Sequence, residues 1–433
     1  MTASTTTAAP SSGATNKRVL AASLMGSSIE WFDYFLYATT AALVFNKVFF
    51  PMTDPVVGLM LSYLTFSLTF FIRPLGGFIF AHIGDRIGRK KTLVMTLSLM
   101  GGATVAIGLL PGYDTIGIWA PILLIVLRLI QGLGIGGEWG GALLLAYEYA
   151  PKNRKGLFGS VPQMGVTIGM VMATLAMMLM SLLPDDQFLS WGWRVPFLLS
   201  AVLVFLGLWI RKGIDETPEF KKAKATGNVA KMPIVETLRY HWRSVLVAVG
   251  IKFVETAPFY IFSTFIVSYA TSALKFERIT VLNAVMVATL VTTAMIPIMG
   301  RLSDSIGRRR MFVIGTVLMG LFTFPYFMLL EQRTTTTLVI ATVIGLGLIW
   351  APITAVLGTL FSEIFSTRVR YTGITLGYQI GAALAGGTAP LVATWLLTTY
   401  DGSWVPVACY IIATAVISLV AIAYAKSASD SDN

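Results

Sequence analysis

The stretch GDRIGRKK at residues 84–91 decides the architecture of this chain, because it recurs as SDSIGRRR at residues 303–310, 219 positions later. The chain has 433 residues, so this offset is about half of its length. Gln163 and Gly165 recur in the same way, 216 positions on. Two matches at nearly one offset indicate an internal duplication. We therefore predict two halves of similar structure.

The composition places these halves in a membrane. Apolar residues make up 55% of the chain, charged residues make up 12%, and the mean hydropathy is +0.75. A window of about 19 residues detects twelve apolar spans. They lie near residues 20–45, 57–82, 92–110, 118–146, 157–182, 190–210, 244–271, 280–299, 311–330, 335–360, 372–397 and 404–425. The prediction is an all-α membrane protein with twelve transmembrane helices in two six-helix bundles.

The loops between these spans differ in charge. With a cytoplasmic N-terminus, 24 Lys and Arg residues lie on the cytoplasmic side and five on the other. This asymmetry follows the positive-inside rule, and twelve spans return the C-terminus to the same side. We therefore predict a multi-pass membrane protein with both termini in the cytoplasm. The net charge of +11 is spread over alternate loops, which argues against a nucleic-acid partner.

The polar segments divide the chain into domains. We predict a disordered N-terminal tail, two bundles separated by a lysine-rich linker, and a C-terminal tail. Their bounds are residues 1–17, 18–210, 211–243, 244–425 and 426–433. A single cysteine excludes an intramolecular disulfide, and two histidines cannot by themselves build a metal site. We expect no cofactor, no metal and a monomer in the lipid bilayer.

Ionisable side chains inside the spans carry most of the functional information. Each costs roughly 2.5–3.5 kcal/mol at the bilayer centre on insertion scales, so it normally faces protein or water. In the first span Glu30, Asp33, Tyr34 and Tyr37 share one helix face. Two neighbouring carboxylates in a poorly solvated place favour proton uptake by one of them. We predict that Glu30 and Asp33 couple transport to protons; the alternative is that one of them neutralises an arginine.

Arg128 in the fourth span is the candidate anchor for an anionic substrate. Its guanidinium offers a planar fork to a carboxylate, and it shares a helix face with Gln131 and approximately with Glu138. The alternative is a permanent ion pair between Arg128 and Glu30, Asp33 or Glu138. Tyr34, Tyr37, Gln131 and Glu138 complete the predicted N-terminal part of the substrate site.

In the seventh span Lys252 and Glu255 are three residues apart. This spacing permits a mutual ion pair, and the alternative is a contribution of both residues to substrate binding. Gln379 in the eleventh span is a further candidate for the substrate site.

Charged residues near the inner helix ends are candidates for conformational gating. Arg73 precedes Pro74 in the second span and lies toward its predicted cytoplasmic end, where it would act in a clasp. Acid–base pairs in the two repeated loops would hold the inner helix ends together in one state and release them in another. The gating candidates are Arg73, Asp85, Arg86, Gly88, Arg89, Asp304, Gly307 and Arg308.

The first repeated loop resembles the corresponding loop of the major facilitator superfamily. Five further segments resemble the metabolite:proton symporter family within it, namely Glu30–Tyr34, Arg73–Gly77, Gly136–Gly141, Trp191–Phe197 and Val369–Gly373. The whole pattern is most similar to the shikimate-type branch. This resemblance implies two six-helix bundles around a central cavity that opens alternately to each side, and a proton-coupled carrier of a small metabolite.

The prediction is therefore a proton-coupled symporter that imports a small organic acid, shikimate-like or another carboxylate. Export of amphipathic compounds by proton antiport and uptake of a zwitterion such as betaine or proline are the alternatives. The chain carries no H-E-x-x-H, no Cys/His cluster and no G-x-S-x-G nucleophile turn. We therefore expect a transporter and not an enzyme.

Overall fold

The computed structural model describes residues 12–51, 54–87, 89–136, 150, 153–212, 237, 239, 241–365 and 370–431. The side chains of 12–23, 81–93, 210–212, 370–372 and 426–431 are not among those described. Within these ranges, nine helices are long and apolar enough to cross a membrane, and two shorter apolar helices cover Val94–Leu109 and Trp119–Ile135. The predicted linker at 211–243 falls mostly outside the described residues.

Twelve long helical segments follow one another in the part of the chain that the structure describes. The first six are α1 (Ser12–Thr40, extended by a π-helical turn at Ala41–Phe45), α2 (Pro55–Ile87), α3 (Arg89–Leu109), α4 (Trp119–Ile135), α5 (Lys155–Met180) and α6 (Arg194–Lys212). The second six are α7 (Trp242–Ser272), α8 (Arg278–Ile306), α9 (Arg308–Glu331), α10 (Thr335–Ile364), α11 (Arg370–Gly381, continued by Ala382–Gly387 and Ala389–Thr399) and α12 (Val405–Ser431). We call the side where α6 ends and α7 begins the linker side.

Helices that pack within each half build the bundles, and a few pack across them. In the first half α1 packs along α5, and α2 along α4; in the second half α7 packs along α12 and α11. Between the halves, α5 packs along α8 and α10, and α2 packs along α11. α7 is the most buried of the nine long apolar helices, and Pro258 precedes a π-helical turn at Ile261–Phe265 within it. Such turns interrupt the regular helix and are frequent at functional sites.

On the linker side the halves meet through small residues and one carboxylate. Asp304, near the end of α8, accepts the backbone N–H groups of Gly156 (2.8 Å) and Leu157 (3.2 Å) at the start of α5. Arg308 donates to the same Asp304 at 2.7 Å, and its Nε lies 3.7 Å from Glu363 of α10. A carboxylate at a helix N-terminus is stabilised by the helix dipole and by unpaired N–H groups.

A different set of contacts joins the halves on the opposite side. The hydroxyls of Tyr63 in α2 and Ser268 in α7 are 2.7 Å apart, and Ser67 donates to the carbonyl oxygen of Gly387 in α11. Arg278 forms an ion pair with Asp185 at 3.0 Å. The space between the bundles is therefore bridged by contacts on both of its sides.

The α5–α8 contact leaves no room for a side chain at Gly156, because a methyl group there would come within 2.4 Å of the Gly300 carbonyl oxygen. We expect Gly156→Leu to prevent closure of the linker side. Overpacking costs about 1–3 kcal/mol, which shifts the equilibrium roughly five- to hundredfold toward a state open on that side. In a Cys409→Ser background, a cysteine placed at buried Ser303 should then react with a hydrophilic maleimide correspondingly faster.

Gly102→Leu is the matched control, because a methyl group on Gly102 meets no other atom within 4 Å. It should leave labelling of the Ser303→Cys reporter unchanged. Equal labelling rates in both leucine variants would contradict the proposed role of the Gly156 contact.

Candidate substrate cavity

A cavity lies between the two halves near the middle of the helices. Trp31 of α1, Phe70 and Arg73 of α2, and Gln163 and Val166 of α5 line it from the first half. The second half contributes Lys252, Glu255, Thr256, Phe259 and Tyr260 of α7, Trp350 and Thr354 of α10, and Tyr378 and Ala382 of α11. The lining combines aromatic rings, hydroxyl and amide groups, and three ionisable side chains. Organic ligand sites have this composition.

The wall formed by the second half holds a buried ion pair. Lys252 donates to Glu255 Oε2, and its Nζ lies 3.7 Å from the centre of the Tyr378 ring. Glu255 also accepts the hydroxyls of Thr256 at 2.7 Å and of Thr354 at 3.3 Å. These bonds hold the Glu255 carboxylate in one orientation on the cavity wall.

Arg73 presents the charge of the first half. Its guanidinium carbon lies 4.5 Å from the Tyr34 ring centre, 4.7 Å from that of Phe70 and 5.6 Å from that of Trp31. The side chain is buried, and neither Nε nor Nη2 has a hydrogen-bond partner in the described structure. Buried polar groups are nearly always hydrogen-bonded. Arg73 therefore has donors available for a ligand in the cavity.

Arg128 lies inside the first half and is not part of the cavity lining. Its guanidinium carbon stacks 3.8 Å from the Tyr37 ring centre, and it donates to the amide oxygen of Gln131. Nη2 is 3.4 Å from the carbonyl oxygen of Phe66. The Tyr34 ring contacts both guanidinium groups, with its centre 5.2 Å from the guanidinium carbon of Arg128 and 4.5 Å from that of Arg73, and Phe66 packs against Tyr34.

Asp33 belongs to the same buried network as Arg128. Its carboxylate accepts the hydroxyls of Ser200 in α6 (2.5 Å) and Thr104 in α3 (3.2 Å). Thr104 in turn accepts the amide of Gln131 at 2.8 Å, and Gln131 contacts Arg128. Hydrogen-bonded groups therefore connect Asp33 to Arg128 through two side chains. Asp33 has no exposed surface, whereas Glu30, one turn earlier, is 8% exposed.

The other predicted site residues are distributed as follows. Tyr37 donates to Thr65 at 2.7 Å, and the Tyr34 hydroxyl and the Gln379 Oε1 are buried without a hydrogen-bond partner in the described structure. Gly307 ends α8 with a φ of 98°, a conformation that glycine adopts readily. Glu138, Gly88 and the side chains of Asp85, Arg86 and Arg89 lie outside the described residues.

Sequence reasoning placed Arg73 near a helix end, whereas the structure places it in the central cavity. The apolar span ends near residue 82, but α2 continues to Ile87, which brings Arg73 close to the middle of the helix. Its position between Phe70 and the Gly76–Gly77 pair, where α2 touches α4, would have indicated a buried location. The roles of Trp350, Gln163 and Thr354 in one cavity depend on contacts between helices far apart in sequence.

No group of three or more His, Cys, Asp and Glu side chains comes together as a metal site within the part of the chain that the structure describes.

Curated relatives align with this chain over nearly its whole length. The shikimate transporter of Escherichia coli (strain K12) is 40% identical over 405 residues, which are 93% of this chain and 92% of that protein. This chain belongs to the major facilitator superfamily. The inner membrane metabolite transport protein YhjE of Escherichia coli (strain K12) is 43% identical over 414 residues, 94% of this chain and 93% of that protein. These relatives place it in the shikimate-like branch of the superfamily's metabolite transporters.

Family models agree with this assignment. Residues 19–234 match the family described as "Sugar (and other) transporter", and residues 249–432 match the "Major Facilitator Superfamily". The proline/betaine transporter of Escherichia coli (strain K12) is 34% identical, over 94% of this chain and 83% of that protein. The superfamily consists of transporters, so the predictions of a multi-pass transporter and not an enzyme are confirmed.

Solved structures confirm the predicted fold of this transporter. A D-xylose-proton symporter superposes with a TM-score of 0.72 over 95% of this chain and 97% of that chain, at 16% identity. A partially occluded inward open conformation of the xylose transporter XylE from E. coli gives a TM-score of 0.71. Twelve helices in two six-helix bundles are therefore the fold of this protein.

Proposed function

We propose that this transporter is a proton-coupled symporter that imports a small organic acid across the bacterial inner membrane, with its linker side in the cytoplasm. The observation that carries this proposal is the buried guanidinium of Arg73, a residue of the cavity lining whose Nε and Nη2 have no hydrogen-bond partner in the described structure. A guanidinium binds carboxylates through two parallel N–H donors. We place the substrate carboxylate on Arg73, in place of the Arg128 anchor predicted from the sequence.

The remaining lining supports a compact, hydroxylated carbon skeleton. The rings of Phe259 and Trp350 are 4.5 Å apart and tilted by 32°, which provides a flat apolar surface. The amide nitrogen of Gln163 lies 3.4 Å from both the backbone oxygen and the hydroxyl oxygen of Thr354. Amide and hydroxyl groups from both halves therefore meet beside this apolar surface. A ring acid with hydroxyl groups, such as shikimate, uses both surfaces.

Asp33 and Glu30 are proposed to carry the coupled proton. The hydroxyls of Ser200 and Thr104 can form hydrogen bonds with Asp33 whether it is ionised or protonated, because a hydroxyl both donates and accepts. The Thr104–Gln131–Arg128 connection links its charge to a guanidinium stacked on Tyr37. Protonation of Asp33 removes one charge from this buried network and thereby changes the packing of α1 against α3 and α6.

Alternating access is proposed to use the contacts at the two sides of the cavity. The Asp304 contacts with the start of α5 close the linker side, and the Tyr63–Ser268 contact closes the other. Only one of these sets needs to break for the cavity to open toward one side. Arg308, which shares Asp304, retains its predicted gating role in this scheme.

A zwitterion such as betaine or proline is the second candidate substrate. Glu255 and the surrounding aromatic rings favour it, because a quaternary ammonium binds to carboxylates and to aromatic faces. Lys252 already occupies the face of Tyr378 and pairs with Glu255, which favours the organic acid.

Purified transporter in proteoliposomes tests the proposal. We expect radiolabelled shikimate to accumulate when the interior is made alkaline relative to the outside, and not without the gradient. Betaine uptake in place of shikimate would support the zwitterion. Efflux against the imposed gradient would support an antiporter, and absence of any gradient-driven accumulation of shikimate, 2-oxoglutarate, citrate or betaine would contradict the proposal.

A further inference from the structure

The charges on the cavity wall are unequal in number. Arg73 and Lys252 are cations and Glu255 is the carboxylate among the ionisable lining residues, so the three carry a net charge of +1. The other titratable groups around them are tyrosines and one acid, namely Tyr34, Tyr260, Tyr378 and Glu30. This inference depends on the symport proposed above, and Glu30 is not one of the residues that line the cavity. The loaded cavity then balances one negative charge.

Glu255 cannot easily move away from the ligand space. One oxygen accepts Lys252 and Thr256, and the other accepts Thr354, which also contacts Gln163 from the opposite half. The indole N–H of Trp350 donates to the backbone carbonyl of Glu255 at 2.5 Å, which fixes the helix at this residue. A bound ligand therefore faces a carboxylate held in place by partners from two helices.

We infer that Glu255 is a charge filter that restricts this transporter to substrates with a single carboxylate. The first carboxylate of a ligand binds Arg73. A second carboxylate would lie beside Glu255, and the one cation there, Lys252, already pairs with that residue. Like charges about 6 Å apart in a partly buried site repel strongly enough to change affinity on the order of tenfold to a hundredfold. Dicarboxylates are therefore excluded by charge and not by size.

Glu255→Gln is the decisive variant. It removes the repelling charge, keeps the shape of the side chain and leaves Lys252 available for a second carboxylate. We measure equilibrium binding of radiolabelled shikimate to purified protein at fixed pH, and displacement by unlabelled 2-oxoglutarate. 2-Oxoglutarate should displace shikimate poorly from the wild type and at least about tenfold better from Glu255→Gln.

Two further variants separate charge from structure. The double variant Lys252→Gln/Glu255→Gln lacks the ion pair but retains the net charge of the wild type and leaves no Lys252 cation for a second carboxylate, so it should admit 2-oxoglutarate less well than Glu255→Gln does. Gln163→Lys keeps the pair and raises the cavity charge, so it should admit 2-oxoglutarate as Glu255→Gln does. Gln163→Lys also provides the test if Glu255→Gln does not give monodisperse protein.

The outcomes distinguish this inference from the proposed function. Suppose that the wild type binds shikimate and that Glu255→Gln keeps the same preference for shikimate over 2-oxoglutarate. This result would overturn the charge filter and leave the symporter proposal intact, and the same holds for Gln163→Lys if only that variant folds. If the wild type binds none of shikimate, 2-oxoglutarate, citrate and betaine, this result would instead contradict the proposed function. Discrimination that follows cavity charge across the series supports the filter.

Discussion

Arg73→Gln is expected to reduce shikimate uptake by about a hundredfold or more. The substitution removes the charge and two donors that have no partner in the described structure, while the neighbouring aromatic rings retain a side chain of similar length. Hydrogen bonds to charged groups contribute about 1.5–3 kcal/mol each, and about 1.4 kcal/mol corresponds to tenfold. Initial rates of uptake into proteoliposomes, normalised to reconstituted protein, measure the effect.

Arg309→Gln is the matched control for this variant. Arg309, in the second half, is likewise an arginine. Its guanidinium donates at 2.7 Å to the carbonyl oxygen of Ile422 on α12, and Arg309 does not line the cavity. It should retain uptake close to that of the wild type. Arg73→Lys should be intermediate, because it restores the charge without the planar fork. Normal uptake by Arg73→Gln would refute the assignment of the substrate carboxylate to Arg73.

Asp33→Asn is expected to abolish proton-driven accumulation while shikimate exchange continues. The amide fills the volume of the carboxylate between Ser200 and Thr104 but does not take up a proton. One proton carried per substrate down a gradient of one pH unit supplies about 1.4 kcal/mol, enough for roughly tenfold accumulation. With a pH gradient and no membrane potential, the variant should reach an internal-to-external shikimate ratio near one. It should still exchange internal for external radiolabelled shikimate.

Asp185→Asn serves as the control for loss of a carboxylate in the same half. Asp185 is exposed and pairs with Arg278 on the side opposite the linker, so its replacement should leave the accumulation ratio unchanged. Full accumulation by Asp33→Asn would rule out Asp33 as the coupled group. The same measurement on Glu30→Gln then decides whether Glu30 carries the proton.

The fold could be predicted from the sequence because each element of it is encoded locally. Nine of the described helices are apolar and long enough to cross a bilayer, and lipid requires such a stretch to satisfy its backbone groups within one helix. The repeat at residues 84–91 and 303–310 then indicated that the six-helix unit occurs twice in the chain. Bounds were less accurate, since α2 runs to Ile87, beyond the apolar span, and moves Arg73 toward the middle.

The candidate site could be predicted only in part. The cost of charges in lipid indicated that Arg128, Lys252 and Glu255 face protein or water, and all three are buried, whereas Arg73 was expected near the cytoplasmic end of its span. Hydropathy contains no information on which of the two arginines faces the other half. That choice depends on the rotation of α2 and α4 about their axes, which packing against neighbouring helices determines.

The sequence alone determined a duplicated, twelve-helix membrane protein and a small set of ionisable side chains inside its spans. Both conclusions follow from one-dimensional properties, namely the length, polarity and repetition of segments. The tertiary structure decided that Arg73 and the Lys252–Glu255 pair face one cavity while Arg128 and Asp33 share a network behind it. Contacts between residues far apart in the chain create that division, and these arise only when the helices pack.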